Sequence, residues 1–297
     1  MVASILRISI VARLARVRNP HPCTRRIACP VCGEALADQG ASARCAAGHS
    51  FDFARSGYLN LTIGGDGPGR VGDDAAMVAA RAEFLAAGHY EPLAAAVAEA
   101  AAAAAPEGDG AVAEVGSGTG HYLAAVVAAL AERGRHPACA FGVDLSKAAA
   151  ERAAKLHPEL RFLVADAEAA IPLCDASAGL CLSVFAPRPA AELGRIARPG
   201  GALVAALAGP RHLERLRARL ELIEVGADKL ARLTERLDPW FEPAEVEAVE
   251  FELRLGPEDA RRLVLMGPNA RHQPDLAPLA SGHEDRASVT VASFRRR

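Results

Sequence analysis

The stretch Ala111-Val-Ala-Glu-Val-Gly-Ser-Gly-Thr-Gly120 decides how this chain is read. Four small or branched apolar residues around one acid make a short buried strand. Three glycines at alternate positions then turn it straight into a helical pattern from Tyr122 to Arg133. A glycine loop at a strand-to-helix junction lets the backbone approach a nucleoside closely. The spacing here is G-x-G-x-G, one residue shorter than the dinucleotide fingerprint, and no Walker lysine follows. Alone the loop is a weak signal, because glycine turns often serve only packing.

Downstream, strand and helix patterns alternate. Cys139–Val143 reads as a strand ending at Asp144, Lys147–Leu156 as a helix, and Arg161–Val164 as a strand followed by Asp166. Strand Gly179–Val184 and helix Ala190–Ala197 follow, and Arg-Pro-Gly-Gly201 turns into strand Ala202–Leu207. This repeat predicts an α/β fold with parallel strands between helices and a ligand at their carboxyl ends. Glu114 precedes the loop, Asp144 is placed to accept from ribose hydroxyls, and Asp166 to accept from an adenine amino group. The competing reading of either aspartate is a helix cap or a turn residue.

Upstream lies a different chemistry. Cys29-Pro-Val-Cys32-Gly, twelve residues, then Cys45-Ala-Ala-Gly-His49 gives C-x2-C-x12-C-x3-H. Two knuckles of that spacing make a closed Cys3His site, so the metal is a structural Zn2+ with no open position for catalysis. Gly33 and Gly48 permit the tight ligand loops. Cys23 competes as a ligand, but Cys23-x5-Cys29 fits less well. Seven cysteines, an odd number, argue against a disulfide framework, and Cys139, Cys174 and Cys181 read as small buried apolar residues. Phe51–Thr62 reads as a strand or hairpin packed on the metal site, and Ile63–Gly72, with five glycines, as a linker. Asp73–Ala105 is helical, capped by Asp73 or Asp74, with Gly88-His89-Tyr90 separating two helices.

The 297 residues are 51% hydrophobic and 24% charged, which excludes a wholly disordered chain and suffices for one large domain or two smaller ones. A formal charge of −2 excludes a general polyanion binder, yet it averages two unlike parts. Residues 1–70 hold nine arginines against four acids, and the rest of the chain is acidic. Arg25, Arg26, Arg44 and Arg55 surround the zinc knuckles and are the expected phosphate contacts. Residues 1–24 make a poor secretory signal and are expected to be a disordered extension. The alanine-rich run Ala94–Ala105 is broken by Glu99 and too weakly apolar for a membrane span, so a cytoplasmic protein with no membrane partner is expected.

Gly116–Gly120 with Asp144 resembles the class I S-adenosylmethionine methyltransferase fold, a Rossmann-like seven-stranded sheet ending in a reversed hairpin. Glu247–Leu253 and Ala287–Phe294 fit that ending. Several motifs occur in order along the chain: the zinc knuckles, FDFARSGYLNL, the Ala79–Tyr90 helix, EVGSGTGHY, Val184–Pro187, Arg198–Gly201 and Gly209–Leu213. Together they resemble the bacterial 23S ribosomal RNA guanine-N1 methyltransferases. Ser183–Arg188 and Met266–Gln273 are more similar to the actinobacterial branch that protects producers against tylosin-type macrolides.

The resemblance implies S-adenosyl-L-methionine as cofactor and methyl transfer to N1 of a guanine in a 23S rRNA hairpin loop. It divides the chain into a zinc-binding RNA-recognition domain (25–72), a helical connector (73–105) and a methyltransferase domain (106–297). Cys29, Cys32, Cys45 and His49 match the family's zinc ligands, and Tyr90 and His212 match a Tyr and a His placed on the cofactor. Gly116, Gly118, Thr119, Gly120 and His121 make up the cofactor loop, although a helix-end polar group is the plainer reading of both His89 and His121. Glu114 stands where the family has Asp. The target base should enter at Phe185-Ala186-Pro187, with Phe185 either stacked on guanine or packed in the core. No residue announces itself as a general base, and a homodimer is compatible with the family. Two rival functions are a small-molecule methyltransferase with a purely structural zinc, and a zinc-finger RNA-binding protein with an inactive cofactor domain. The basic zinc segment opposes the first, and the intact loop with Asp144 opposes the second.

Overall fold

A computed structural model describes residues 22–63, 71–108, 110–222, 226 and 228–297. Most of the expected extension (1–24) and of the glycine linker lies outside these residues. The described residues open with a 3-10 turn, Pro22–Arg26, and a small antiparallel sheet of β1 (Ala37–Asp38), β2 (Ser42–Arg44) and β3 (Ser50–Asp52). β4 (Leu59–Asn60) then turns away from this small sheet, keeping one antiparallel bridge, Phe53 to Leu59. Helices α1 (Ala75–Ala86) and α2 (Glu91–Ala104) follow, and Asp74 caps α1 by accepting from the Met77 N–H.

The repeat read from sequence comes next: β5 (Ala111–Val115), α3 (His121–Glu132), β6 (Ala140–Asp144), α4 (Lys147–Leu156), β7 (Arg161–Val164), β8 (Ala178–Val184), α5 (Ala190–Ile196) and β9 (Ala197–Ala208). Two short helices, α6 (Glu214–Leu220) and α7 (Lys229–Leu237), lead into β10 (Phe241–Leu255). Helix α8 (Pro257–Leu265) connects it to β11 (His283–Arg296). The final hairpin is far longer than the apolar runs suggested, because its outer strand carries exposed Glu and Arg while still pairing from Phe241 opposite Arg296 to Leu255 opposite His283.

The large sheet has eight strands in the order β10-β11-β9-β8-β5-β6-β7-β4. β11 lies antiparallel between β9 and β10, which is the reversed hairpin expected. The eighth strand is the addition: β4 pairs parallel with β7, with Leu59 opposite Leu163 and Asn60 opposite Val164. The segment after the zinc knuckles therefore splits, its first part staying with the ribbon and its second extending the main sheet. Every residue of β5 is buried, as a central strand covered on both faces requires. One face packs on α1–α4 and α8, while the other packs on α5, α7 and the ribbon side chains Ile27, Leu36, Ala43 and Leu61. Helices α1 and α2 and the ribbon thus share the cores that flank the large sheet.

Two cysteine readings are corrected. Cys23, weighed as a spare zinc ligand, and Cys139, read as an apolar filler, form a disulfide across 116 residues with a Cα–Cα distance of 5.6 Å. An odd cysteine count excludes pairing of all the thiols but not of two. Cys181 is wholly buried as expected, whereas Cys174 is only half-buried and donates to the Arg25 carbonyl.

Candidate active site

The zinc knuckles bring four donor atoms within 4.8 Å of one another: the sulfurs of Cys29, Cys32 and Cys45 and a ring nitrogen of His49. His49 Nδ1 lies 3.6 Å from Cys29 Sγ and 3.3 Å from Cys45 Sγ, and the Cys32 and Cys45 sulfurs are 3.7 Å apart. A tetrahedron with Zn–S bonds of about 2.3 Å has edges of about 3.8 Å, so this donor set fits Zn2+. Gly33 (φ +77°) and Gly48 (φ +94°) supply the left-handed turns that fold each knuckle. The Glu34 carboxylate accepts from the Ala47 N–H and so ties one knuckle to the other.

At the carboxyl ends of β5–β8 lies a cavity of about 580 Å³, within the range of small-molecule sites. The glycine loop forms its floor. Gly116 (φ +70°) sits so close to Ala186 that an added Cβ would lie 2.3 Å from the Ala186 methyl. Gly118 (φ +52°) donates its N–H to Asp144 Oδ2 at 2.8 Å, and Asp144 Oδ1 accepts from the Ser146 N–H at 2.8 Å. Burial raises the Asp144 pKa against the pull of these two donors. The carboxylate is thus rigidly aimed at the rim where a ribose would lie. Ser117 Oγ and His121 Nε2 are buried without a hydrogen-bond partner, and both residues line the cavity. A cradle of left-handed glycines with unsatisfied polar atoms is what a nucleoside cofactor completes.

Three of the expected cofactor residues are not among those lining this cavity. Glu114 does not reach the cavity: its buried carboxyl accepts from the Leu123 N–H at 3.1 Å and anchors the start of α3, and burial pushes its pKa well up. Gly120 (φ +78°) begins α3 and is needed because a Cβ there would lie 2.7 Å from the Phe162 ring. His212 lines a neighbouring cavity and meets the site through Tyr90, whose hydroxyl lies 3.4 Å from His212 Nε2. His212 Nδ1 accepts from the Ser288 N–H, so Nε2 carries the proton and donates to Tyr90. Burial lowers the His212 pKa to about 4, with Arg217 and Lys229 adding to the effect. Tyr90, Thr119, His121, Asp144 and Asp166 do line the cofactor cavity, and Asp166 also accepts from the Glu168 N–H in its own turn.

The neighbouring cavity, of about 670 Å³, joins the first at Tyr90, Phe185, Ala186 and Met266. Phe185 stands between them in the left-handed region (φ +52°) and is 41% exposed. Ordinary core packing is therefore not its role, and a strained, exposed aromatic at a strand end is a feature of binding sites. Its ring centre lies 5.5 Å from that of His212 and 6.4 Å from that of Tyr90. Pro187 lines the cofactor side only, where it continues the turn begun by Ala186.

Sequence reasoning missed Arg81, which lines both cavities, pairs with Asp73 at 2.6 Å and donates to the Met266 carbonyl. It thereby fixes the Met266–Gln273 motif over the cofactor cavity. The only signal was its place in the Ala79–Tyr90 helix. The arginines near the zinc behave unequally. Arg26 donates to the Ser177 carbonyl and ties the ribbon to the catalytic domain, while Arg44 donates to Gly48 within its own knuckle. Arg25 and Arg55 are exposed.

Fold and site define a class I S-adenosylmethionine-dependent methyltransferase with a zinc ribbon at its N-terminal end. The RlmA N-terminal zinc-ribbon family matches residues 27–62, and a methyltransferase-domain family matches residues 112–201. A 23S rRNA (guanine(748)-N(1))-methyltransferase of Streptomyces fradiae is 40% identical over 279 residues, spanning 91% of this chain and 97% of that relative. A Micromonospora griseorubida protein assigned to the 23S rRNA (guanine-N(1)-)-methyltransferases is 43% identical over 290 residues, spanning 90% of this chain and 96% of the relative. The chain belongs to the 23S rRNA (guanine-N1)-methyltransferase family. Zn2+ and S-adenosyl-L-methionine are its cofactors.

Proposed function

We propose that this chain methylates N1 of a guanine in a hairpin loop of 23S rRNA. The observation that carries the reading is the junction of two cavities at Phe185, one shaped for the cofactor and the other opening beside it. S-adenosyl-L-methionine supplies an electrophilic sulfonium methyl when bound. Asp144 and the Gly116–Thr119 backbone orient its nucleoside, and Tyr90 and Phe185 wall the point where an unstacked base arrives. Phe185 stacks on that base.

Neutral guanine carries a proton on N1, which must leave as the methyl arrives. Tyr90, pushed up by burial, is no base, and the lone pair of His212 is occupied by the Ser288 N–H. No carboxylate among the described residues lines the second cavity. Arg188 does line it, with Nε buried and unpartnered and Nη2 on the Ala206 carbonyl, the same oxygen that takes the Phe185 N–H. We read Arg188 as the group that meets guanine O6 and favours the deprotonated ring, with water taking the proton.

The test incubates unmodified large-subunit rRNA with the protein and methyl-labelled S-adenosylmethionine, then maps primer-extension stops. One strong stop at a hairpin-loop guanine is expected, with the position named for the S. fradiae relative, 748, the first to inspect. Label entering only small metabolites overturns the reading. Arg188→Gln should slow transfer most at the low end of the pH–rate profile, where guanine is fully protonated. The same reading puts the protein in the cytoplasm with the ribosome, as a monomer or homodimer. Its physiological outcome is protection against tylosin-type macrolides, measurable as drug susceptibility with and without the gene. No helix among the described residues is long and apolar enough to cross a membrane.

A further inference from the structure

Helix α7 carries Lys229, Arg232 and Arg236 at spacing i, i+3, i+7, which sets them along one edge of the helix. Leu233 and Leu237, on the adjoining face, are buried in the core, and Leu233 also borders the second cavity. All three cations line the second cavity, where Arg188 from the end of β8 and Arg217 from α6 join them. Besides Arg81, which is neutralised by Asp73, five cations from three separate parts of the chain thus border one opening. Among the described residues no aspartate or glutamate lines it, and none of the five makes an ion pair.

Such crowding opposes itself. Burial and the nearby Arg236 bring the Arg188 guanidinium down to about 10. Lys229 is lowered by burial, then by Arg188 and Arg217. Elsewhere several arginines are neutralised by carboxylates: Arg195 by Glu192 and Asp175, Arg262 by Asp259 and Glu83, Arg286 by Glu250 and Glu252. Like charges left uncompensated around a cavity call for an anion from outside. From Lys229 to Arg236 the helix rises about 10 Å, and strand phosphates follow one another at about 3.4 Å of axial rise, so the edge faces more than one phosphate.

We propose that the edge of α7, with Arg217, clamps the phosphodiester backbone on either side of the unstacked target nucleotide, while its base reaches Phe185. The ligand class is single-stranded polyribonucleotide, and the assignment rests on the RNA reading above. The arrangement divides labour: α7 positions the strand, the ribbon meets a more distant part of the hairpin, and Phe185 meets the base.

The test compares the full zinc-loaded protein with Lys229→Gln/Arg232→Gln/Arg236→Gln and with a control losing charge away from both cavities, Arg152→Gln/Arg254→Gln. Three quantities are measured: KM and kcat on a 23S rRNA hairpin transcript, anisotropy binding of that transcript across salt concentrations, and S-adenosylmethionine affinity by calorimetry. The α7 variant should raise KM and Kd for RNA about ten-fold or more, with a much smaller effect on kcat. It should also flatten the slope of log affinity against log salt by about 2, as expected for three lost contacts to a single strand. Unchanged cofactor affinity reports that the fold survives. If that variant lacks cofactor binding, the single substitution Arg232→Gln, at an exposed position, carries the comparison with a slope change of about 0.7. RNA affinity and salt slope equal to those of the control overturn the α7 site, whatever the wild type methylates. Loss of RNA affinity in the α7 variant alongside a wild type that makes no methylguanine supports the clamp and overturns the reaction instead. A slope change restored by free mononucleotide competition at low concentration would assign the cations to a small anion and overturn the strand clamp.

Discussion

The zinc ribbon and the wall around α7 are both rich in arginine, and they deploy it differently. In the ribbon, Arg26 and Arg44 donate to backbone carbonyls and serve the architecture. Around α7, five cations without an ion pair border one cavity with no carboxylate among its described lining residues, although Arg188 and Arg217 also donate to backbone carbonyls. The ribbon looks basic as a run of sequence, whereas α7 reads as mixed, since Glu235 and Asp238 share its sequence and the acidic second half surrounds it. Charge counted along the chain therefore finds the ribbon and misses the wall. Charge counted in space ranks them the other way.

The largest effect that would sharpen this contrast is removal of the metal. Cys45→Ser, or a strong chelator, should lower the thermal midpoint by about 10 °C or more, corresponding to about 3–5 kcal/mol at this size. The loss should extend to cofactor affinity, because the ribbon side chains share a core with β5–β9 and β4 extends the main sheet. Scanning calorimetry with a single shifted transition supports the shared core. Two separate transitions, with cofactor binding intact, would show the ribbon to be an independent module.

Next in size is Gly116→Ala. The added methyl meets Ala186 at 2.3 Å and must push open the junction of the two cavities. Cofactor affinity should fall about 10- to 100-fold by calorimetry, since the residue also occupies a left-handed conformation. An affinity within two-fold of wild type would show that the loop yields freely.

Acid should strike the α7 side of the molecule through His212. Its folded pKa of about 4 lies below the ordinary 6.5, so between these values the unfolded chain binds the extra proton. Stability is full above about pH 6.5 and falls as pH drops toward 4, by at most about 3 kcal/mol from this residue. His212→Phe should flatten that limb of a urea-denaturation series against pH. Lys229→Gln, which removes one neighbouring cation, should let His212 titrate slightly higher by NMR, by under about 1 pH unit.

The smallest effect is expected from the ribbon's exposed arginines. Arg25→Gln/Arg55→Gln should weaken RNA binding about three-fold, less than the α7 substitutions, because exposed single contacts contribute little. A loss larger than that of the α7 variant would break the comparison and return the main RNA surface to the ribbon.

Much of the fold was legible because it rests on local chemistry. The glycine turn after Val115, the cap at Asp74 and the helix Lys147–Leu156 follow from residues adjacent in the chain. Asp144 was legible for the same reason, as the acid ending the second strand. Glu114 and His212 were located, but where their side chains point was not legible, because whether a side chain faces the cavity or the layer behind it depends on packing. Arg81, the Cys23–Cys139 bond and the α7 edge gave no local sign of their partners.

By itself the sequence determined the α/β repeat, the nucleoside loop and the Cys3His zinc site, since strand periodicity, glycine conformation and ligand spacing act within a few residues. Only the tertiary structure decided that β4 completes the main sheet, that Phe185 stands exposed between two cavities, and that five scattered cations meet. Those features arise from residues tens of positions apart brought together by burial, and burial is a property of the whole fold.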